Sequence, residues 1–139
     1  MQSDTMTLSS KGPIRPVPRL VGPAQHVSEM IQTWPGIIAA THWDLYDNKK
    51  INGADFYVGQ NELGHIHLDG EIHLATTKPL RMALIAAGLA EPFPWYDSWV
   101  QFRITDELSA NHGAWLFNLN YDRLMGMPME TLMMRIQSK

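Results

Sequence analysis

The sequence predicts an α+β domain: an antiparallel sheet of about four to five strands with helices packed on one face, in the order α-β-β-β-β-α-β-α. Three observations lead there. Short runs rich in β-branched, aromatic and alternating residues recur between Ile37 and Ala75, and again from Trp99 to Ile104. The pair Asp69-Gly70 divides two of these runs, a strong signal for a tight antiparallel hairpin. Helical spacing fills the flanking segments, so strands are grouped, as they are in α+β folds.

Taken in order, residues 1–22 read as an extended arm, because Pro13, Pro16 and Pro18 favour polyproline-like backbone; Met6 could serve as an alternative start. Residues 23–126 form the single domain. Pro23 suits a first helical turn, Val27, Met30 and Ile31 share a face, and Trp34-Pro35-Gly36 stops the helix. Ile37 to Trp43 is a first strand. Asp47-Asn48-Lys49-Lys50 and Asn52-Gly53 read as turns, and Phe56-Tyr57-Val58 as a second strand. Leu63 to Leu68 and Glu71 to Ala75 are the hairpin strands. Lys78 to Ala87 is a helix, with Pro79 near its start, Leu80 and Leu84 on one face and Gly88 at its stop. An aromatic loop, Glu91 to Tyr96, precedes the strand Trp99 to Ile104. Asp106 to Leu124 is helical, with Leu108, Trp115 and Leu119 facing inward. Residues 127–139 are a methionine-rich helix or tail, in which Met129, Leu132, Met133 and Ile136 form an apolar stripe. That stripe either docks on its own domain or makes a homodimer contact, for which flexible methionines are suitable.

Composition narrows the function classes. The chain has 139 residues, 45% hydrophobic and 18% charged, with a net charge of -3. That is a globular composition with no basic face for nucleic acid. The absence of cysteine removes thiol nucleophiles, disulfides and iron–sulfur sites. No run is long and apolar enough for a secretory core or a membrane span, which makes the cytoplasm the default expectation. GxGxxG, GxSxG, HExxH and phosphate-loop motifs are all missing.

Chemistry concentrates between Glu62 and His73, where three of six histidines fall. On a strand His65 and His67 share a face, and paired imidazoles suit either a divalent metal or proton transfer. The place of His73 depends on register. A two-residue Asp69-Gly70 turn would pair it with Ile66, on the wrong face; a three-residue loop would pair it with His67, assembling three imidazoles. Glu62 or Asp69 would orient an imidazole. The loop Phe93–Tyr96 with Trp99 would wall a pocket for a small molecule. His26 and His112 read as surface helix residues, and His42, beside Trp43, either as an ordinary strand residue or as part of a pocket wall.

These residues resemble a known family. Trp34-Pro35-Gly36, then Glu62-Leu63-Gly64-His65-Ile66-His67-x-Asp69-Gly70 and His73-Leu74, are similar to the luciferase domain family. The likeness continues through Ala87-Gly88-Leu89-Ala90-Glu91, Ser98-Trp99-Val100-x-Phe102 and Asn120-Tyr121-Asp122-Arg123. It spans about residues 27–124 and omits the arm and the tail. The family comprises mostly small bacterial proteins and includes the fungal luciferase, which oxidises a hydroxypyrone with molecular oxygen without an added cofactor. The resemblance implies that His65, His67 and His73 match that enzyme's histidines. One departure is Phe93, where many bacterial relatives carry a histidine. A shared fold is weak evidence for a shared reaction, and light emission is not inferred.

The expected function is therefore oxidation of a small, planar, enolic molecule. His65, His67 and His73 would be catalytic, and Glu62, Asp69, Trp95, Trp99 and Phe102 would contact the substrate. No cofactor is expected; the alternative is a divalent metal on the same three histidines. The competing function is a non-catalytic module that binds a small molecule or a protein. Histidines scattered over exposed positions would favour it.

Overall fold

The computed structural model describes residues 7–44, 46, 47 and 49–139. The first six residues of the arm, Met6 among them, and Asn48 of the Asp47–Lys50 turn lie outside the described residues. Among the described residues, four helices, α1 (Pro23–Gln32), α2 (Lys78–Ala86), α3 (Glu107–Leu124) and α4 (Met129–Gln137), accompany six strands. These are β1 (Ile37–Trp43), β2 (Ile51–Val58), β3 (Asn61–His67), β4 (Glu71–Leu74), β5 (Glu91–Pro92) and β6 (Val100–Arg103). The sheet is antiparallel throughout, in the order β1-β2-β3-β4-β6-β5. The α+β expectation holds. The sheet gains one strand, β5, too short to show a period in sequence.

Alternation along the strands divides the sheet into two unlike faces. Ala54, Phe56, Ile66, Ile72, Leu74 and Val100 enter one core with Val27 and Ile31 of α1 and Leu116, Phe117 and Leu119 of α3. Phe56 meets Phe117 edge to face, with ring centroids 5.8 Å apart. The opposite face carries Asp55, Tyr57, His65 and His73 and is free of these helices. Side-chain caps start two helices: Thr77 accepts from the Leu80 N–H at 3.5 Å and Asp106 from the Ser109 N–H at 2.8 Å.

Several expectations change. Asn52-Gly53 is not a turn but lies inside β2. Gly53 pairs with His42 on one side and His67 on the other. A Cβ there would lie 2.8 Å from His67 Cα and closer still to the Ile66 carbonyl oxygen, so close strand approach, not turning, requires this glycine. Leu108 is 80% exposed instead of buried, because α3 turns its Ala110, Ala114 and Phe117 side to the core. His112 is no plain surface residue: Nε2 lies 2.7 Å from the Leu89 carbonyl oxygen and the ring packs on Phe102. His26 is exposed, 3.1 Å from Glu107.

The arm and tail are packed against the rest. Beyond a 3-10 turn at Leu8–Ser10, the arm runs along the edge of β1, where the Thr41 N–H donates to the Arg15 carbonyl at 2.9 Å. Leu20 then joins the helix-side core. On α4, Leu132 and Ile136 are buried in that core and Met129 and Met133 pack against it, so the stripe faces its own domain. Among the described residues, no helix is long and apolar enough to cross a membrane.

The packing at Gly53 yields a prediction. Gly53→Ala should destabilise the fold by more than about 2 kcal/mol in urea unfolding, since backbone atoms on β3 must move to admit the methyl group.

Candidate functional site

The hairpin that carries the histidines uses a three-residue loop, Leu68-Asp69-Gly70. His65 pairs with His73 and Ile66 with Ile72. The Gly70 N–H closes a turn on the His67 carbonyl at 2.9 Å, and Gly70 adopts a φ of 93°. That is a type I turn followed by a left-handed glycine. The loop has the expected length but takes in Leu68, so His73 lies opposite His65 where the expectation was His67. Parity is unchanged, and the three imidazoles share one face.

A second irregularity brings Glu62 to them. Phe56 pairs with Gly64 and Tyr57 with Glu62, leaving Leu63 as a bulge. In a regular strand Glu62 and His65 would face opposite ways. The extra residue sends Leu63 into the core and returns Glu62 to the histidine face. Glu62 Oε2 then lies 2.8 Å from His65 Nδ1. Because a carboxylate can only accept, the His65 proton sits on Nδ1 and its Nε2 carries a lone pair.

Two further residues complete the cluster. His42 on β1 places Nδ1 2.8 Å from Asp55 Oδ1, and its ring stacks on His65 at 3.9 Å. The empty position at Gly53 lets the His42 and His67 rings meet across β2 at 4.9 Å. His73 Nδ1 lies 3.1 Å from both His65 Nε2 and His67 Nε2. Beneath them, Tyr57 donates to Asp55 Oδ2 at 3.0 Å. Lys11 reaches in from the arm, its Nζ 3.0 Å from Glu62 and 3.6 Å from Asp55. Asp55 Oδ1 lies against His42 Nδ1 and Glu62 Oε1 against Lys11 Nζ, in each case without an aligned hydrogen bond.

This environment sets the charge of each group. Burial holds His65 well below the usual histidine range, aided by His42 and Lys11. Burial and His42 bring His67 down to about 4, and burial and His67 bring His73 to about 3. Burial opposes the charge on Lys11, but Glu62 and Asp55 outweigh it and raise its pKa. Burial, then Asp55 and Glu62, push the Tyr57 hydroxyl far up. The site therefore holds neutral imidazoles at His65, His67 and His73 beside the Lys11 ammonium.

Above the cluster opens a cleft of about 670 Å³. Phe93 lies 4.5 Å from the His73 ring and Trp99 6.0 Å from the His65 ring, centroid to centroid. Arg81 on α2 fixes this aromatic loop: its guanidinium donates to the carbonyls of Phe93, Tyr96 and Trp99 at 2.9–3.0 Å. Thr76 Oγ1 donates to the Ser98 carbonyl. Trp95, 67% exposed, stands at the rim.

Of the expected site residues, His65, His67, His73, Glu62, Trp95 and Trp99 gather here. Asp69 does not. Its carboxylate lies in the hairpin loop, 3.4 Å from Arg103 and accepting from the Glu71 N–H at 3.0 Å. Phe102 pairs with Ile72 and so faces the helices, its ring on His112. Sequence reasoning passed over Asp55, Tyr57, Lys11 and Arg81, and took His42 only as an ordinary strand residue or a pocket wall. A lone carboxylate amid Ala54, Phe56 and Tyr57 was a usable signal for Asp55; nothing local marks Lys11 or Arg81.

No curated protein and no solved structure matches the chain. The family model described as Luciferase domain matches residues 60–120, a span that contains Glu62, the hairpin histidines and the aromatic loop but not Lys11, His42 or Asp55. Over that span the chain matches the Luciferase domain family, the family its His-x-His and Ser-Trp-Val segments resemble.

Proposed function

We propose that the chain is an oxidase or oxygenase acting on a small, planar, enolic molecule. The observation that carries this reading is the gathering of four imidazoles from three strands at the floor of an aromatic-walled cleft. A flat ring enters between Phe93, Trp95 and Trp99, which exclude water and favour stacking. A neutral imidazole takes the acidic enol proton, and neighbouring imidazoles hold the anion. The anion's electron pair forms a carbon–oxygen bond to dioxygen, which is reduced to the peroxide level. The imidazolium then returns its proton to the terminal peroxide oxygen. Glu62 behind His65 and Asp55 behind His42 steady the cation formed in between.

The depressed basicity narrows the substrate. Groups held near 3–4 are poor bases for an alcohol or a simple ketone, but they match an enol whose acidity approaches that of a carboxylic acid. A vinylogous acid fits. The contrasting reading, a binding module without catalysis, draws less support from histidines so concentrated in one cavity.

Oxygen uptake with a panel of planar enols, alongside tryptophan-fluorescence titration, tests the proposal. Uptake by the unaltered protein should fall about 10²–10⁴-fold in His67→Ala and in His73→Ala, with ligand quenching of tryptophan fluorescence retained. Quenching without any uptake would leave the binding module in its place.

Arg81→Met should release the aromatic loop, weakening ligand binding several-fold while lowering turnover of the bound molecule much less. An unchanged dissociation constant would show that the loop holds its shape without the guanidinium.

Acid stability checks the charge state independently. His67 and His73 titrate near 6.5 when unfolded but at about 4 and 3 when folded, so between these values the unfolded chain binds more protons. In chelator-containing buffer, stability should decline as pH falls through 6.5, and this contribution should level off below about 3. The double variant His67→Ala/His73→Ala should flatten the urea midpoint between pH 7 and 4. An equally steep decline in that variant would place the titration elsewhere.

A further inference from the structure

We propose that His65, His67 and His73 form a binding site for a divalent transition ion of the zinc class, with Glu62 as the carboxylate that orients His65. The inference deepens the preceding reading, yet it is tested by metal binding alone.

The nitrogen geometry comes first. His73 Nδ1 stands 3.1 Å from His65 Nε2 and 3.1 Å from His67 Nε2. Nitrogens around a tetrahedral zinc ion lie about 3.3 Å apart, given bonds of about 2.0–2.1 Å. Ligand atoms of His65 and His67, together with one from His42, all fall within 4.8 Å of one another. The two spacings about His73 Nδ1 are therefore close to the spacing an ion requires.

Proton accounting points the same way. Glu62 fixes the His65 proton on Nδ1, which leaves a lone pair on Nε2. A proton on His73 Nδ1 could point along only one of its two 3.1 Å contacts. A proton on His67 Nε2 could serve the other only if His73 gave up its own. In every tautomer at least one contact sets two lone pairs facing or leaves two nitrogens sharing one proton. A cation placed among the three nitrogens accepts all the lone pairs at once.

The surrounding shell has the form that metal histidines use. A ligating imidazole ordinarily passes its other N–H to a carboxylate, which fixes the tautomer and strengthens the donor. His65 does this to Glu62 at 2.8 Å, and His73 Nε2 faces Glu71 Oε1 at 3.9 Å. Asp55 and Glu62 are both buried, and among the described residues the Lys11 ammonium reaches both of them.

His42 stands outside the trio, its Nδ1 braced by Asp55. In the enzyme reading this gives the proton a destination. The ion, held by His65, His67 and His73, would supply Lewis acidity toward the enol oxygen, and His42 Nε2 would take the proton released from the O–H bond.

The test uses the full chain without a histidine tag, stripped by chelator and titrated with zinc(II) and cobalt(II). One equivalent of zinc should bind by calorimetry and raise Tm by about 5 °C or more at saturation. Cobalt(II) should give visible bands of a nitrogen-rich, low-coordinate site, a readout that needs no variant. His67→Ala, at a half-exposed position, should abolish both, whereas His26→Ala on α1 should retain them. Absence of stoichiometric binding, or binding unchanged in His67→Ala, would overturn the metal site and leave metal-free acid–base chemistry standing. Stoichiometric binding without oxygen uptake on any enol would keep the metal site and overturn the oxidase reading instead.

Discussion

Everything in the cleft depends on the parity of β3. That strand has one face in the core and one in the site, so a shift of one residue would exchange Ile66 for His65 and ruin both at once. Two local devices pin it. The Leu68-Asp69-Gly70 loop sets His65 opposite His73, and the bulge at Leu63 brings Glu62 round to His65. Core burial supplies the energy that holds them. Ile66, Ile72 and Leu74 are fully buried, each contributing about 1.5–3 kcal/mol over the exposed state. The apolar side of the sheet thus positions the polar side. Substitutions that loosen the helix-facing core would blur the histidine geometry without touching a histidine.

The same burial determines what the imidazoles can do. Water is scarce at the floor of the cleft, so the cost of protonating His65, His67 or His73 is high even with carboxylates nearby. Asp55 and Glu62 would ordinarily favour imidazolium. Burial outweighs them, and Lys11 adds a smaller push on His65 and His67. The arm is therefore part of the electrostatics of the cleft, since its ammonium sits against both buried carboxylates. Neutral imidazoles are good ligands and weak bases, and both proposed uses of the cluster follow from that one condition.

Local sequence revealed much of this and missed a definable part. Helix starts at Pro23 and Lys78, the stop at Trp34-Pro35-Gly36 and the hairpin at Asp69-Gly70 were legible because capping and turn chemistry act within a few residues. The shared face of His65 and His67 was legible from period two alone. Asn52-Gly53 misled because a turn-forming pair can also serve a strand where two backbones must approach. Phe102 misled because an aromatic at strand spacing does not say which face is which. Lys11, His42 and Asp55 meet the hairpin only through long-range pairing, and no local pattern encodes a partner so far away in the chain.

Position 93 shows how tertiary placement alters a judgement made from the chain alone. The resemblance made a phenylalanine there look like a missing piece of the site, since many relatives carry histidine. In the fold its ring lies 4.5 Å from His73 and 5.7 Å from Trp99, so position 93 does border the cluster, as a wall. A fourth imidazole is nevertheless present. His42 reaches the cluster from β1, stacked on His65 and braced by Asp55, from outside the span that matches the family. The chain thus combines a full set of imidazoles with a more apolar wall. A wall of that kind suits a flat ring whose polar groups point toward the imidazoles, because a polar group facing Phe93 would lose its hydration without gaining a partner.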